Sequence, residues 1–134
     1  MQVDVQLRNL PGTGAAVGWA GCHTIIADRP EGKAGGLGLG FNGAQLLALA
    51  IGGCFCNDLR YVAQELGAEL SEISVQVSLE LEGTPLLATS ALMTVKCSVL
   101  DGSDPALIVE LAKKSCMVSN SLTNGIPVSV VSAP

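Results

Sequence analysis

The sequence predicts an α+β fold in which antiparallel strands pack around one long, buried helix. Three observations carry this reading. Ile73–Leu81 and Ala91–Val99 alternate apolar and polar residues with the period of a half-buried strand. Between Ala34 and Asn57 the chain carries no charge, and Ala44–Cys56 is apolar on every side of a helix, which demands burial all round. Asp104-Pro105 has the form of a helix start, an N-cap carboxylate followed by a proline at the first helical position.

Taken in order, Val3, Val5 and Leu7 alternate with polar neighbours and predict a first strand. Asn9–Gly14, with Pro11, Gly12 and Gly14, reads as a turn. Ala16–Ala27 carries one or two strands, and Arg29–Gly43 is a glycine-rich loop. Asn42 and Gln45 form a capping-box pair, and Gly67 stands where a C-cap glycine belongs. The helix between them has about 23 residues and a length of roughly 34 Å. Gly52 and Gly53 each weaken it by about 1 kcal/mol relative to Ala, which suggests close approach of another backbone. The strands around Val75 and Val95 follow as an antiparallel pair, then a helix ending near Cys116. A helical turn at Ser119–Thr123, the Asn124-Gly125 turn and a closing strand at Val128–Val131 complete the order.

The length of 134 residues suits one domain, residues 1–134. Only 14% of residues are charged, too few to cover a monomer's surface, so a homo-oligomer with an apolar interface is expected. A net charge of −5 argues against nucleic acid, because phosphates require clustered Lys and Arg. Met1–Leu10 has no apolar core of a signal peptide, and five widely spaced cysteines form no disulfide framework, so a cytoplasmic location is expected. Leu46–Cys56, the strongly apolar run, is shorter than the ~20 residues of a membrane span, so no membrane association is expected.

With one histidine and no G-x-S-x-G turn, serine-triad chemistry has little to work with. His23 reads as a half-buried, hydrogen-bonded side chain on a strand. No C-x-x-C or H-E-x-x-H spacing occurs, and Cys54 and Cys56 diverge on a helix, so neither metal nor cofactor is expected. Gly38-Leu-Gly40-Phe-Asn-Gly43 spells G-x-G-x-x-G, but the preceding strand ends about ten residues too early for a dinucleotide fingerprint. Cys22, Cys56 and Cys97 read as packing residues. Cys54 differs, lying where the helix turns polar, on the face of Leu47, Ala50, Asn57, Asp58 and Tyr61. There a thiol is reachable by solvent, and lowering its pKa needs a cation from elsewhere. Asp58, one turn on, by itself raises that pKa unless it holds such a cation. Cys116 ends the second helix, where the dipole disfavours a thiolate. Cys54 as attacking thiol and Cys116 as resolving thiol is the natural division.

The run His23-Thr-Ile-Ile-Ala-Asp28-Arg-Pro30, then Gly35-Gly36, then Gly40-Phe-Asn42-Gly-Ala-Gln45-Leu-Leu-Ala-Leu-Ala-Ile-Gly-Gly-Cys54 resembles the OsmC/Ohr family. Cys116-Met-Val118-Ser119 is similar to the family's second signature, and Gly125-Ile-Pro-Val128 to its final strand. The resemblance implies an intertwined homodimer with long central helices and sheets outside. It also implies reduction of organic hydroperoxides. Cys54 then becomes a sulfenic acid, Cys116 condenses with it to a disulfide, and a thiol reductant such as a dihydrolipoyl group resets the pair. Active members of the family it resembles carry an Asn/Ser-Pro-Glu or Pro-x-Glu segment before the long helix, whose carboxylate helps orient an arginine beside the thiolate. Here the segment is Asn42-Gly43-Ala44-Gln45, without an acid. Gln45 keeps a hydrogen-bonding role, Arg29 or Lys33 is the candidate cation, and Asp58 the candidate replacement carboxylate.

Two readings of function result. In the first, the chain is a thiol-dependent reductase, with Phe55 and Leu47 favouring an alkyl or aryl peroxide. In the second, it is a non-catalytic dimeric module that binds, or senses redox through, a small apolar or thiol-bearing molecule. A transferase or hydrolase using Cys54 lacks a convincing base.

Overall fold

The computed structural model covers residues 1–134 and comprises two compact units, Met1–Leu47 and Ala48–Pro134. Its elements are those of an α+β protein with antiparallel sheets, as expected from the sequence.

In the first unit, β1 (Gln6–Asn9), β2 (Ala16–Ala20) and β3 (His23–Ala27) form an antiparallel sheet in that order. Thr13 closes the turn after β1: its hydroxyl donates to the Leu10 carbonyl at 2.9 Å and accepts from the Ala15 N–H at 3.1 Å. The first strand is shorter than its alternation suggests. Val3 and Val5 are exposed and lie outside the ladder, whose last pair is Gln6 with Trp19, one residue before β2 ends at Ala20. Two further expectations need correction. Cys22 is an exposed turn residue between β2 and β3, not a packing residue, and His23 is exposed at the start of β3 rather than half-buried.

The loop after β3 is organised around Asp28. Its Oδ1 accepts from the Arg29 N–H at 2.8 Å, and its Oδ2 from the N–H groups of Leu39 at 3.0 Å and Leu37 at 3.2 Å. The Leu39 bond is the largest cause of a carboxyl pKa held below the ordinary 3.8, with the Leu37 and Arg29 bonds adding to it against burial. The G-x-G-x-x-G run is the end of this loop. Phe41 pairs with β3, donating to the Ile26 carbonyl at 3.0 Å, and a side chain at Gly40 would collide with that same carbonyl. Gly40 is there for close packing of backbones.

Helix α1 spans Gly43–Glu65. The capping box is formed: the Gln45 N–H donates to Asn42 Oδ1 and the Asn42 N–H to Gln45 Oε1, both at 2.9 Å. At the other end the Ala68 N–H bonds the Ala63 carbonyl and the Gly67 N–H the Gln64 carbonyl, a Schellman motif with Gly67 at φ +68°.

In the second unit β4 (Leu70–Glu82) and β5 (Leu87–Val99) form a long hairpin in which Ile73, Val75 and Val77 stand opposite Cys97, Val95 and Met93. Helices α2 (Ala106–Ser115) and α3 (Met117–Thr123) follow. The Asp104 carboxylate accepts from the Ala106 N–H at 3.0 Å, but the helix starts one residue later than expected: Pro105 stands at the N-cap position and Ala106 is the first helical residue. The core joins Phe55, Leu59, Val62 and Ala63 of α1 to Leu70, Val99, Ile108, Ala112 and Cys116.

By length and a mean hydropathy of 1.3, α1 could cross a bilayer, but this packed face makes it a core helix. The opposite face is bare: Leu49 is 47% exposed, and Ala50 and Gly53 are exposed beside it. The glycine pair also divides. A Cβ at Gly52 would stand 3.0 Å from the Val77 side chain, whereas Gly53 faces open space. Neither touches another backbone within the chain. The expected closing strand is absent: Val128, Val130 and Val131 are exposed and outside any strand, because alternation without an adjacent partner strand forms no ladder.

Candidate active site

The second unit brings Cys54, Asp58 and Cys116 together. Cys54 and Asp58 are one turn apart on α1, so they share a face, and the Cys54 thiol donates to Asp58 Oδ2 at 3.6 Å. Cys116 arrives from a distant part of the sequence. It is the residue between α2 and α3, fully buried in the core, with backbone φ −62° and ψ 108° that break the helical path. The sulfurs of Cys54 and Cys116 and a carboxylate oxygen of Asp58 all lie within 4.8 Å of one another. The Cys116 thiol in turn donates to Ser119 Oγ at 3.3 Å.

Burial is the largest influence on Cys54 and pushes its thiol pKa above the ordinary 9.0. The Val118 backbone N–H works against it by favouring the thiolate, while Cys116 and Asp58 raise it further. Val118 is a participant that the sequence did not mark, because a backbone donor has no signature in residue type. Cys97 is likewise raised by burial, on the half-buried face of β5. It packs against the core as expected.

Gln45 and Arg29 belong to the first unit. Gln45 is occupied by the capping box. Arg29 donates from Nη2 to the Gly14 carbonyl at 2.8 Å and lies 3.3 Å from Asp28, while its buried Nε has no hydrogen-bond partner. Within the second unit, Arg60 donates to the Leu70 carbonyl at 3.0 Å and Lys113 pairs with Glu110 at 3.2 Å.

Beside Cys116 opens a cavity of about 490 Å³. Phe55, Met93, Val95 and Val109 form its apolar wall, and Lys113, Ser119 and Asn120 its polar rim. No disulfide joins the five cysteines.

The profile of OsmC-like proteins matches residues 33–131, a stretch that includes Cys54 and Cys116. The chain belongs to the OsmC-like family. The solved OsmC-like protein of unknown function from Vibrio cholerae is similar in fold, with TM-score 0.76 at 12% identity over 90% of this chain and 93% of that one. The OsmC-like protein from Mycoplasma pneumoniae gives 0.74 at 14% identity, covering 94% and 89%. The organic hydroperoxide resistance protein OhrB of Bacillus subtilis gives 0.60 at 26% identity, covering 94% and 93%. No curated protein sequence matches the chain. As an OsmC-like protein the chain departs from the expected pattern at Ala44 and Gln45, where no carboxylate is present, and carries its nearest carboxylate at Asp58 instead.

Proposed function

We propose that this OsmC-like protein reduces organic hydroperoxides, with Cys54 as the attacking thiol and Cys116 as the resolving thiol. The observation that carries the reading is the convergence of the two sulfurs and the Asp58 carboxylate within 4.8 Å. The likeness to organic hydroperoxide resistance proteins supports it.

Asp58 receives the Cys54 proton along the existing hydrogen bond. The Val118 N–H stabilises the thiolate left behind. The thiolate attacks the peroxide oxygen, the O–O bond breaks, and the alcohol leaves with one proton, so Cys54 becomes a sulfenic acid. The Cys116 thiol then condenses with it, forming the S–S bond and releasing water. An external dithiol, for which a dihydrolipoyl group is the candidate, returns both sulfurs to thiols by exchange. The apolar wall of the cavity at Cys116 suits an alkyl or aryl substituent. The bare face of α1 at Leu49, Ala50 and Gly53 fits a homodimer. Residues 1–134 act in this reading as one OsmC-like domain.

The test is one equivalent of cumene hydroperoxide followed by peptide mass spectrometry without reductant. A Cys54–Cys116 disulfide formed within seconds is expected; five unmodified thiols overturn the reading. The raised Cys54 pKa favours a second reading, a non-catalytic module that binds a small apolar molecule in the cavity. In that case a ligand shifts Tm equally in wild type and Cys54→Ser.

A further inference from the structure

The same cluster has the donor set of a metal site. We propose that Cys54, Cys116 and Asp58 bind a soft divalent cation, Zn²⁺ above all, in the reduced protein, and that the bound metal closes the thiols to peroxide. The inference rests on the reading of this cluster as the reactive site and names a regulation of it.

Geometry comes first. Three donor atoms lie within 4.8 Å of one another, two of them sulfur. Bond lengths of about 2.0–2.3 Å place neighbouring donors around tetrahedral zinc roughly 3.5–3.8 Å apart. Cys54 Sγ and Asp58 Oδ2 already stand at 3.6 Å. Cys116 needs to move by no more than about 1 Å to reach that spacing. The i, i+4 relation of Cys54 and Asp58 is how a helix presents two ligands on one face. Cys116 supplies the third from a different element, which fixes the site in space.

Chemistry decides the metal. Two thiolates and a carboxylate suit Zn²⁺, whereas Mg²⁺ and Ca²⁺ require oxygen donors. Three groups that each become negative face one another here. No cation pairs with Asp58: in its own unit Arg60 and Lys113 are engaged with other partners, and Lys96 and Lys114 form no ion pair. A divalent cation neutralises that convergence. Cys54 and Asp58 are half-buried rather than sealed, which leaves a way in. The Val118 N–H and Ser119 hydroxyl stand next to the sulfurs as the outer hydrogen bonds that orient metal ligands. Three protein ligands leave the fourth position open, so the metal is exchangeable rather than a permanent staple.

The experiment titrates the reduced, full-length protein with Zn²⁺ against a chromogenic chelator and repeats it with Co²⁺ as a spectroscopic probe. One ion per chain and a thiolate-to-cobalt charge-transfer band are expected. Cys54→Ser and Cys116→Ser, both near-isosteric, should abolish the band or weaken binding at least ~10-fold, as even lost outer-sphere partners do. Asp58→Asn should weaken binding by a similar factor while keeping the band. Stoichiometry and affinity unchanged in both serine variants, or lost only with Cys56→Ser or Cys97→Ser, overturn the inference. Metal-free protein that reduces cumene hydroperoxide yet binds no zinc also overturns it, while the peroxide reading stands. Zinc held by both thiolates in a protein with no turnover supports the metal site and removes the peroxidase.

Discussion

Asp28 and Asp58 are the same residue in opposite situations. Asp28, in the first unit, is enclosed by three backbone N–H groups and an arginine, and its charge is fully used in holding the loop from Asp28 to Leu39. Asp58, in the second unit, has a thiol as its hydrogen-bonding partner, and that thiol stands beside another. Backbone donors cannot leave, so they make a carboxylate structural. In the proposed mechanism the donating thiol gives its proton to the carboxylate, and the same kind of group serves as a base. What separates architecture from chemistry here is the kind of donor each carboxylate meets.

The sharpest way to break the comparison is to remove the thiols. Cys54→Ser should eliminate peroxide turnover, while Cys116→Ser should still form one sulfenate equivalent and then stall, measured by sulfenate trapping. Equal, unimpaired rates in both variants leave Asp58 with no chemistry to serve. Next in size is Asp58→Asn. It removes a negative charge that raises the Cys54 pKa, so alkylation of Cys54 should move to lower pH and run a few-fold faster near neutrality. Peroxide turnover should fall at the same time, because the proton acceptor is gone. A parallel rise of both rates shows that the carboxylate acts only as a repulsive charge.

Asp28 sharpens the other side. Its folded pKa lies below the ordinary 3.8, so its stabilisation is complete above that value and is lost as pH falls through the folded pKa. Wild type should therefore lose Tm in strong acid more steeply than Asp28→Asn, whose deficit at neutral pH should shrink as the solution is acidified. A deficit that stays constant with pH places the role of Asp28 in shape rather than charge. The smallest effect belongs to Gly53→Ala. If the open face stays free, the variant gains about 0.5–1 kcal/mol from helix propensity. If a second copy packs there, dimer dissociation increases, which sedimentation at several concentrations reads directly.

Much of this was legible in local sequence. The capping box at Asn42 and Gln45, the Gly67 terminus and the alternation of β4 all formed where residue type and spacing placed them. Each depends on contacts within a few residues. The closing strand at Val128–Val131 did not form, and Val3–Val5 stayed unpaired, since a strand needs a neighbour that its own residues do not specify. His23 and Cys22 were misplaced for a related reason: burial is a property of what covers a side chain, not of the side chain.

The site divides in the same way. The sequence by itself determined that Cys54 and Asp58 share a helix face, because 3.6 residues per turn leaves no other result. It also singled out Cys116 as the end of a helix. Only the tertiary structure decided that Cys116 reaches Cys54, that the Val118 N–H comes to influence the Cys54 thiol, and that two thiols and a carboxylate share one small volume. Those relations join residues far apart along the chain, over which backbone geometry carries no information and only the packing of α1, β4, β5 and α2 around Phe55 and Leu59 sets distance.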